Sequence, residues 1–89
     1  MEILFKENEV YAMEDGKKVG YLQYEEEGKL WQASHTEVDT AYGGRGIAGK
    51  LVDKLADEAR LRNKKIYPSC PYVAKKFDQD PKYKDLDAR

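Results

Sequence analysis

The chain has 89 residues, of which 16 are basic and 17 acidic, so its formal net charge is −1 at neutral pH. This length suits one domain with a modest core and excludes a two-domain enzyme. The balanced charge provides no overall attraction to nucleic acid or to an anionic membrane. A single cysteine excludes an internal disulfide, and a single histidine leaves no set of zinc ligands.

The start of the chain, MEILFKENE, has neither the basic segment nor the long apolar run of a signal peptide or a membrane span. We therefore expect a cytoplasmic protein. No linker, repeat or low-complexity segment divides the sequence, so residues 1–89 are predicted to form a single domain.

The first half of the chain alternates apolar and polar residues with the period of half-buried strands. Ile3–Lys6 is a short apolar run and is predicted to be the first strand. The other strands are predicted at Glu9–Glu14, Lys18–Glu25 and Leu30–Val38, and turns at Gly16 and Gly28 separate these three. Strict alternation along the last strand places Trp31, Ala33, His35 and Glu37 on one face. We expect four antiparallel strands in a meander.

The second half begins with an apolar period of three to four residues from Ile47, which predicts a helix of about 18 residues packed on one face of the sheet. A short fifth strand is predicted at Lys65–Tyr67, and a second helix at Tyr72–Gln79. The polar tail 80–89 is expected to form a last turn and then fray. This order of elements predicts the α+β class.

A glycine-rich loop joins the predicted fourth strand to the long helix. Its glycines are Gly43, Gly44, Gly46 and Gly49. Glycines allow positive φ and close approach to a ligand, and the free amides and positive dipole end of the helix point into the same loop. The loop is therefore predicted to bind an anion, and a phosphate is the leading candidate.

Three phosphate motifs overlap in this loop. The spacing of Gly44, Gly46 and Gly49 fits a dinucleotide fingerprint, but the next strand ends without the required acidic residue. A P-loop would need a hydroxyl after Lys50, where Leu51 stands instead. The third motif is the [QR]xxGx[GA] loop of acyl-CoA-dependent N-acetyltransferases, whose last three positions match residues 46–48. The spacing alone does not decide between them.

Three segments, His35–Val38, Gly44–Ala48 and Pro68–Val73, resemble in order and spacing the small, minimal YjdJ-type members of the GNAT N-acetyltransferase superfamily. The resemblance implies the GNAT fold and binding of acetyl-CoA or CoA. The cofactor-binding residues that it implies are Val38, Gly43, Gly44, Arg45, Gly46, Ile47, Ala48 and Gly49. One departure is Gly43, because the family usually has Arg or Gln at this position. Arg45 would reach a CoA phosphate, with simple solvent exposure as the alternative.

Acetyl transfer to an amine needs a base for the amine, a donor to the thioester oxygen and an acid for the leaving thiolate. The predicted catalytic residues are Cys70, His35 and Tyr72. Cys70 would protonate the thiolate or be transiently acetylated, and burial as a small apolar residue is the alternative. His35 would act as the base or be structural. Tyr72 would donate to the thiolate or thioester, or simply pack under the helix.

The sequence therefore predicts an acetyl-CoA-dependent N-acetyltransferase in which an unidentified amine attacks the thioester directly. The main alternative is a non-catalytic acyl-CoA-binding module or sensor, and a third class is a small nucleotide- or nucleic-acid-binding adaptor that uses the glycine loop. The expected partners are acetyl-CoA and an amine acceptor, either a small molecule or a protein, with no nucleic acid or membrane and a monomer or weak homodimer. The run Glu25–Glu27 is interpreted as a solvated turn or as an acidic patch that attracts a basic amine.

Overall fold

The structure is a computed structural model that describes residues 1–89. Its elements, in chain order, are β1 (Glu2–Lys6), β2 (Glu9–Glu14), β3 (Lys17–Glu27), β4 (Leu30–Val38), a single-turn helix (Thr40–Tyr42), α1 (Ile47–Leu61), β5 (Lys65–Pro68), α2 (Pro71–Gln79) and a second single-turn helix (Pro81–Tyr83). Strands β1 to β4 form an antiparallel meander, and β5 adds parallel to β4. The predicted α+β class, meander, long helix and fifth strand are confirmed.

Both helices pack on the same face of the sheet and share one core with it. The apolar stripe of α1 is buried along its length, at Ile47, Leu51, Val52, Leu55, Ala56 and Ala59. Val73 and Phe77 of α2 join the same cluster, together with the inward residues of the strands. The opposite face of the sheet carries no helix. Neither helix combines the length and the apolar character that crossing a bilayer requires.

Two predictions about the second half of the chain, the length of its long helix and the fraying of its tail, are corrected. Helix α1 has 15 residues and ends at Leu61, and Asn63 just beyond it has a left-handed backbone with φ of 56°. The tail does not fray, because Tyr83 and Leu86 are buried at 2% and 3% exposure. Leu86 also accepts a hydrogen bond from the amide of Ile66, at 2.7 Å, which ties the tail to β5.

A β-bulge divides β4 into two halves. Gln23 of β3 lies opposite His35 and the next residue of β3 lies opposite Ala33, so Ser34 has no partner. One inserted residue reverses the alternation of side chains beyond it. Trp31 therefore faces the helices, whereas His35 faces the uncovered side, and the prediction that they share a face is wrong.

Candidate functional site

A gap opens between β4 and β5 next to the bulge. The last parallel pair of the two strands is Ala33 with Pro68. The chain then leaves the sheet, and Cys70 donates its amide to the carbonyl of Ala33 at 2.8 Å. The side-chain amide of Gln32 donates to Ser69 Oγ, also at 2.8 Å, across this last contact. Beyond it, β4 continues without a neighbour on the β5 side.

The second half of β4 presents backbone groups to this gap. Asp39 donates its amide to the carbonyl of Val19 on β3, at 2.8 Å. Because successive residues of a strand point their amides and carbonyls to opposite sides, those of Val38 and Thr36 point toward the gap. An extended ligand with amide groups could pair with this edge of β4 as another strand would.

The glycine loop closes one end of the gap around a cavity of about 280 Å³. The lining residues are Val38, Tyr42, Gly43, Gly44, Gly46, Ile47, Ala48, Gly49 and Tyr72. The structure thus brings together every cofactor residue predicted from the sequence except Arg45. Arg45 instead lies over the ring of Tyr42, with its guanidinium carbon 5.0 Å from the ring centroid.

The loop holds a run of unused backbone donors. The amide of Gly43 donates to the carbonyl of Thr40 at 3.2 Å, and the amide of Lys50 donates to that of Gly46 at 3.1 Å. Between these two, the amides of residues 44–49 donate to no group of the protein. Gly44 and Gly46 take φ of 79° and 73°, which turns the backbone into the start of α1. This geometry is typical of an anion site at a helix N-terminus.

Lys76 is a site residue that the sequence analysis missed. A Cβ added at Gly49 would lie 3.5 Å from Lys76 Nζ, so the ammonium group stands beside the unused amides. The available signal was its spacing, since Lys76 follows Tyr72 by one turn of α2 and shares its face. Its neighbour Lys75 is exposed.

Cys70 is the N-cap residue of α2 and is only 5% exposed. Its Sγ lies 3.4 Å from Thr36 Oγ1 across the gap. Burial acts to raise the pKa of the Cys70 thiol, but the Thr36 hydroxyl and the backbone amides of Val73 and Tyr72 outweigh it. The pKa is therefore held below its ordinary value, as is typical of a cysteine at a helix N-terminus.

Tyr72 lies between the thiol and the glycine loop. It lines the cavity, and its Oη would be 3.8 Å from a Cβ at Gly49. Burial, and then the negative charge of Asp53, raise the pKa of the Tyr72 hydroxyl. At neutral pH this group is thus a hydrogen-bond donor facing the cavity.

The structure does not place His35 beside Cys70. His35 is exposed on the uncovered face, with its ring centroid 5.9 Å from that of Tyr21. Cys70 belongs to the core on the helical side. The two side chains therefore lie on opposite faces of the sheet. Nowhere do three or more His, Cys, Asp or Glu side chains gather as a metal site would require.

Comparisons with known proteins agree with this architecture. Residues 9–86 match the profile of a family described as GCN5-related N-acetyl-transferase. A solved GCN5-like protein from Staphylococcus aureus is 26% identical with a TM-score of 0.78, over 97% of this chain and 86% of its own. A ribosomal-protein-alanine N-acetyltransferase from Brucella melitensis is 26% identical with a TM-score of 0.64, over 91% of this chain and 61% of its own.

A third solved structure, a Mycobacterium tuberculosis protein in complex with CoA, is 19% identical with a TM-score of 0.58, over 89% of this chain and 66% of its own. That likeness shows the fold alone. The chain spans less than two thirds of the Brucella and Mycobacterium proteins. No curated protein sequence matches the chain. Since the family profile covers most of the sequence, the chain belongs to the GCN5-related N-acetyltransferase (GNAT) family.

Proposed function

We propose that the protein is an acetyl-CoA-dependent N-acetyltransferase in which an amine attacks the thioester directly. The observation that carries this proposal is the run of unused amides at residues 44–49, beside a free edge of β4. Membership of the family supports acyl-CoA-dependent acetyl transfer. The Mycobacterium tuberculosis neighbour, which was solved with CoA, supports CoA as the carrier.

The residues present suit the chemical parts of CoA. A diphosphate carries the charge that the amides of residues 44–49 and the start of α1 attract. Lys76 supplies a positive charge beside them. Pantetheine is an extended chain with two amides, and the backbone groups of Val38 at the edge of β4 can pair with it. Thr36 and Cys70 are the residues that would then lie beside the acyl end.

Acetyl-CoA supplies an activated acetyl group, which passes to the amine nitrogen as the carbon–sulfur bond breaks and the CoA thiol leaves. His35 takes the proton that the attacking amine loses on the uncovered face. Tyr72 donates a hydrogen bond to the thioester or the leaving sulfur. Cys70, whose pKa is lowered, would protonate the leaving sulfur. In the second route its thiolate would take the acetyl group as the CoA thiol leaves, and would then give that group to the amine and become a thiolate again.

Calorimetric titration with acetyl-CoA, CoA and ATP tests the binding step. We expect saturable binding of both CoA species and little binding of ATP, since ATP lacks the pantetheine chain that the β4 edge accepts. Failure to bind acetyl-CoA at millimolar concentration would overturn the proposal.

Release of the CoA thiol in the presence of amines then tests turnover. Binding without release from any amine would favour the second function, a non-catalytic acyl-CoA-binding module. If Cys70→Ala retains full activity on an amine that the wild type acetylates, the thiol has no catalytic part and its role is packing.

A further inference from the structure

The two edges of the sheet differ in whether the rest of the chain covers them. At the β5 edge the tail pairs with the strand. The amide of Ile66 donates to the carbonyl of Leu86 at 2.7 Å, and the amide of Ala88 donates to the carbonyl of Ile66 at 2.9 Å. At the other edge β1 pairs with β2 alone, and no turn, loop or cap bonds to the backbone of residues 3–5. The outer edge of β1 is therefore free to pair with another strand.

This free edge exposes the backbone groups of Ile3 and Phe5. Lys6 and Glu9 flank the two-residue turn between β1 and β2 and lie opposite each other, so their backbone groups bond to each other. Because the direction of these groups alternates along a strand, those of Leu4 also face β2, and those of Ile3 and Phe5 face outward. No proline or bulge interrupts β1, and its three central residues are apolar and half-buried. An edge of this kind is a template for pairing.

The two ends of β1 carry opposite charges that the chain itself does not pair. Glu2 and Lys6 are exposed, and neither is in an ion pair. Lys6 lies opposite Glu9, but the carboxylate of Glu9 is paired with Lys18. The ammonium group of Lys6 lies 5.1 Å from the ring centroid of Tyr11, and the residue opposite Glu2 is uncharged. Each end of β1 thus has a charge that a partner strand could neutralise.

We propose that β1 pairs antiparallel with β1 of a second copy of this chain, about a twofold axis at Leu4. In this register Glu2 of each copy lies opposite Lys6 of the other, and Ile3 lies opposite Phe5. Opposite charges directly across two strands stabilise their pairing. Side chains on one face stay on that face, so the core side and the uncovered side both continue across the axis. An axis at Ile3 or Phe5 would instead place a charge opposite Leu4 and leave one end of β1 unpaired.

This pairing leaves the site described above open in both copies, because the gap between β4 and β5 lies at the far end of the sheet from β1. The inference therefore does not depend on the proposed function. Two strands of five residues bury less than about 1,200 Å², the lower limit for stable interfaces, so the dimer should be weak and concentration-dependent.

Sedimentation equilibrium of the full chain, from about 10 µM to about 1 mM, tests the inference, because an interface of this size gives weak complexes. The wild type should shift from monomer to dimer over this range. Glu2→Lys and Lys6→Glu should each weaken dimerisation about tenfold, since every homodimer then has two contacts between like charges. The double variant Glu2→Lys/Lys6→Glu should restore it and is the matched control, because its net charge equals that of the wild type. An equimolar mixture of the two single variants should also restore it.

Amide hydrogen exchange locates the interface within β1. The amides of Ile3 and Phe5 should exchange more slowly as the protein concentration rises, whereas that of Leu4, already bonded to β2, should change less. A wild type that stays monomeric at about 1 mM would overturn the inference, as would a dimer that the single variants do not weaken or that the double variant does not restore. Circular dichroism checks that the variants are folded, as expected for exposed positions at a sheet edge.

Discussion

The two halves of β4 differ in what their backbone and side chains contact. The half from Leu30 to Ala33 pairs with β3 on one side and β5 on the other, and Trp31 within it is buried. The half from His35 to Val38 pairs with β3 alone and is half-buried or exposed. One inserted residue, Ser34, separates them. A single strand can thus contribute to the core at one end and leave a free edge for a ligand at the other.

The first half should control stability, and the largest expected effect is there. Trp31 is 1% exposed and packs against the rings of Tyr24 and Phe5, at centroid distances of 4.4 and 5.8 Å. Trp31→Ala should lower the free energy of unfolding by about 3–5 kcal/mol, because it removes an aromatic residue from a packed core. Urea denaturation followed by circular dichroism measures it. Leu61→Ala, at a position 78% exposed, is the control and should change stability by less than about 0.5 kcal/mol.

The loop after the second half should control ligand binding. Gly46→Asp places a carboxylate beside the unused amides, where it would repel a phosphate and compete for its donors. We expect the Kd for CoA to rise about tenfold or more. The matched control is Gly28→Asp in the turn before β4, because both glycines have positive φ and open space around a new Cβ.

Both glycine variants should lose a similar stability, on the order of 1 kcal/mol, from left-handed backbone strain. Only Gly46→Asp should lose affinity for CoA. Equal Kd values for CoA in the two variants would show that the phosphates of CoA do not bind at the amides of residues 44–49, even if the protein has the proposed activity.

The second half of β4 also influences the pKa of the Cys70 thiol, through Thr36 across the gap. Thr36→Val removes the hydroxyl that lies 3.4 Å from Cys70 Sγ and leaves burial, which raises the pKa. The pKa of Cys70 should therefore rise in the variant, so less thiolate is present at any given pH near the midpoint. Thiolate absorbance measured against pH reports it directly, since Cys70 is the only cysteine. A midpoint that is unmoved or lower would contradict the assigned contact.

A smaller effect is expected from the charge on α2. Lys76→Met removes the ammonium beside the glycine loop and keeps the length and apolar stem of the side chain. CoA should bind about two- to fivefold more weakly, with the loss shrinking as salt is added. Lys75→Met removes the same charge from the neighbouring exposed position and should change the Kd less. Calorimetric titration with CoA compares the two variants. A larger loss of affinity in Lys75→Met than in Lys76→Met would show that Lys76 is not the lysine beside the bound CoA.

Periodicity was enough to predict most of the fold. The alternation along β2 and β3 and the apolar stripe of α1 exist because one face of each element is buried against the core. Such a face is visible in the local sequence as a hydrophobic period. The bulge has no such signal in the local sequence. Ser34 is compatible with an ordinary strand, and its insertion is visible only in the pairing of β4 with β3. That one residue moved His35 to the opposite face. The prediction for the tail was wrong for a related reason. Tyr83 and Leu86 are two apolar residues in a polar segment, and they are buried by contacts with distant elements, Tyr83 with Phe77 of α2 and Leu86 with β5.

The glycines were the part of the candidate site that residue chemistry alone predicted most directly. Gly44 and Gly46 have positive φ, so their sequence signal reflects a backbone requirement. The contribution of Lys76 depends on how α2 packs beside α1. Spacing within α2 shows that Lys76 shares a face with Tyr72, but it does not show that this face lies next to Gly49 of α1. The acidic run at Glu25–Glu27 likewise gained meaning from the sheet, because Glu25 and Glu26 point to different faces and only Glu26 pairs with a lysine.

The smallest expected effect concerns Gly43, where the family usually has Arg or Gln. Its φ of −62° and ψ of 153° are open to any residue, and a Cβ would lie 3.4 Å from the carbonyl of Thr40, in ordinary contact. Gly43→Gln should therefore stabilise the protein by about 0.4–1 kcal/mol through the unfolded state. A side-chain amide at the cavity wall should tighten CoA binding about twofold.

The control for that variant is Gly44→Gln, one residue further along the same loop. Gly44 has φ of 79°, so the same side chain there would strain the backbone and should destabilise the protein by about 1 kcal/mol. Thermal unfolding and CoA titration of the two variants compare them directly. If Gly43→Gln were destabilised as much as Gly44→Gln, glycine at 43 would be a requirement of the backbone; the opposite signs expected here would make it a dispensable departure from the family pattern.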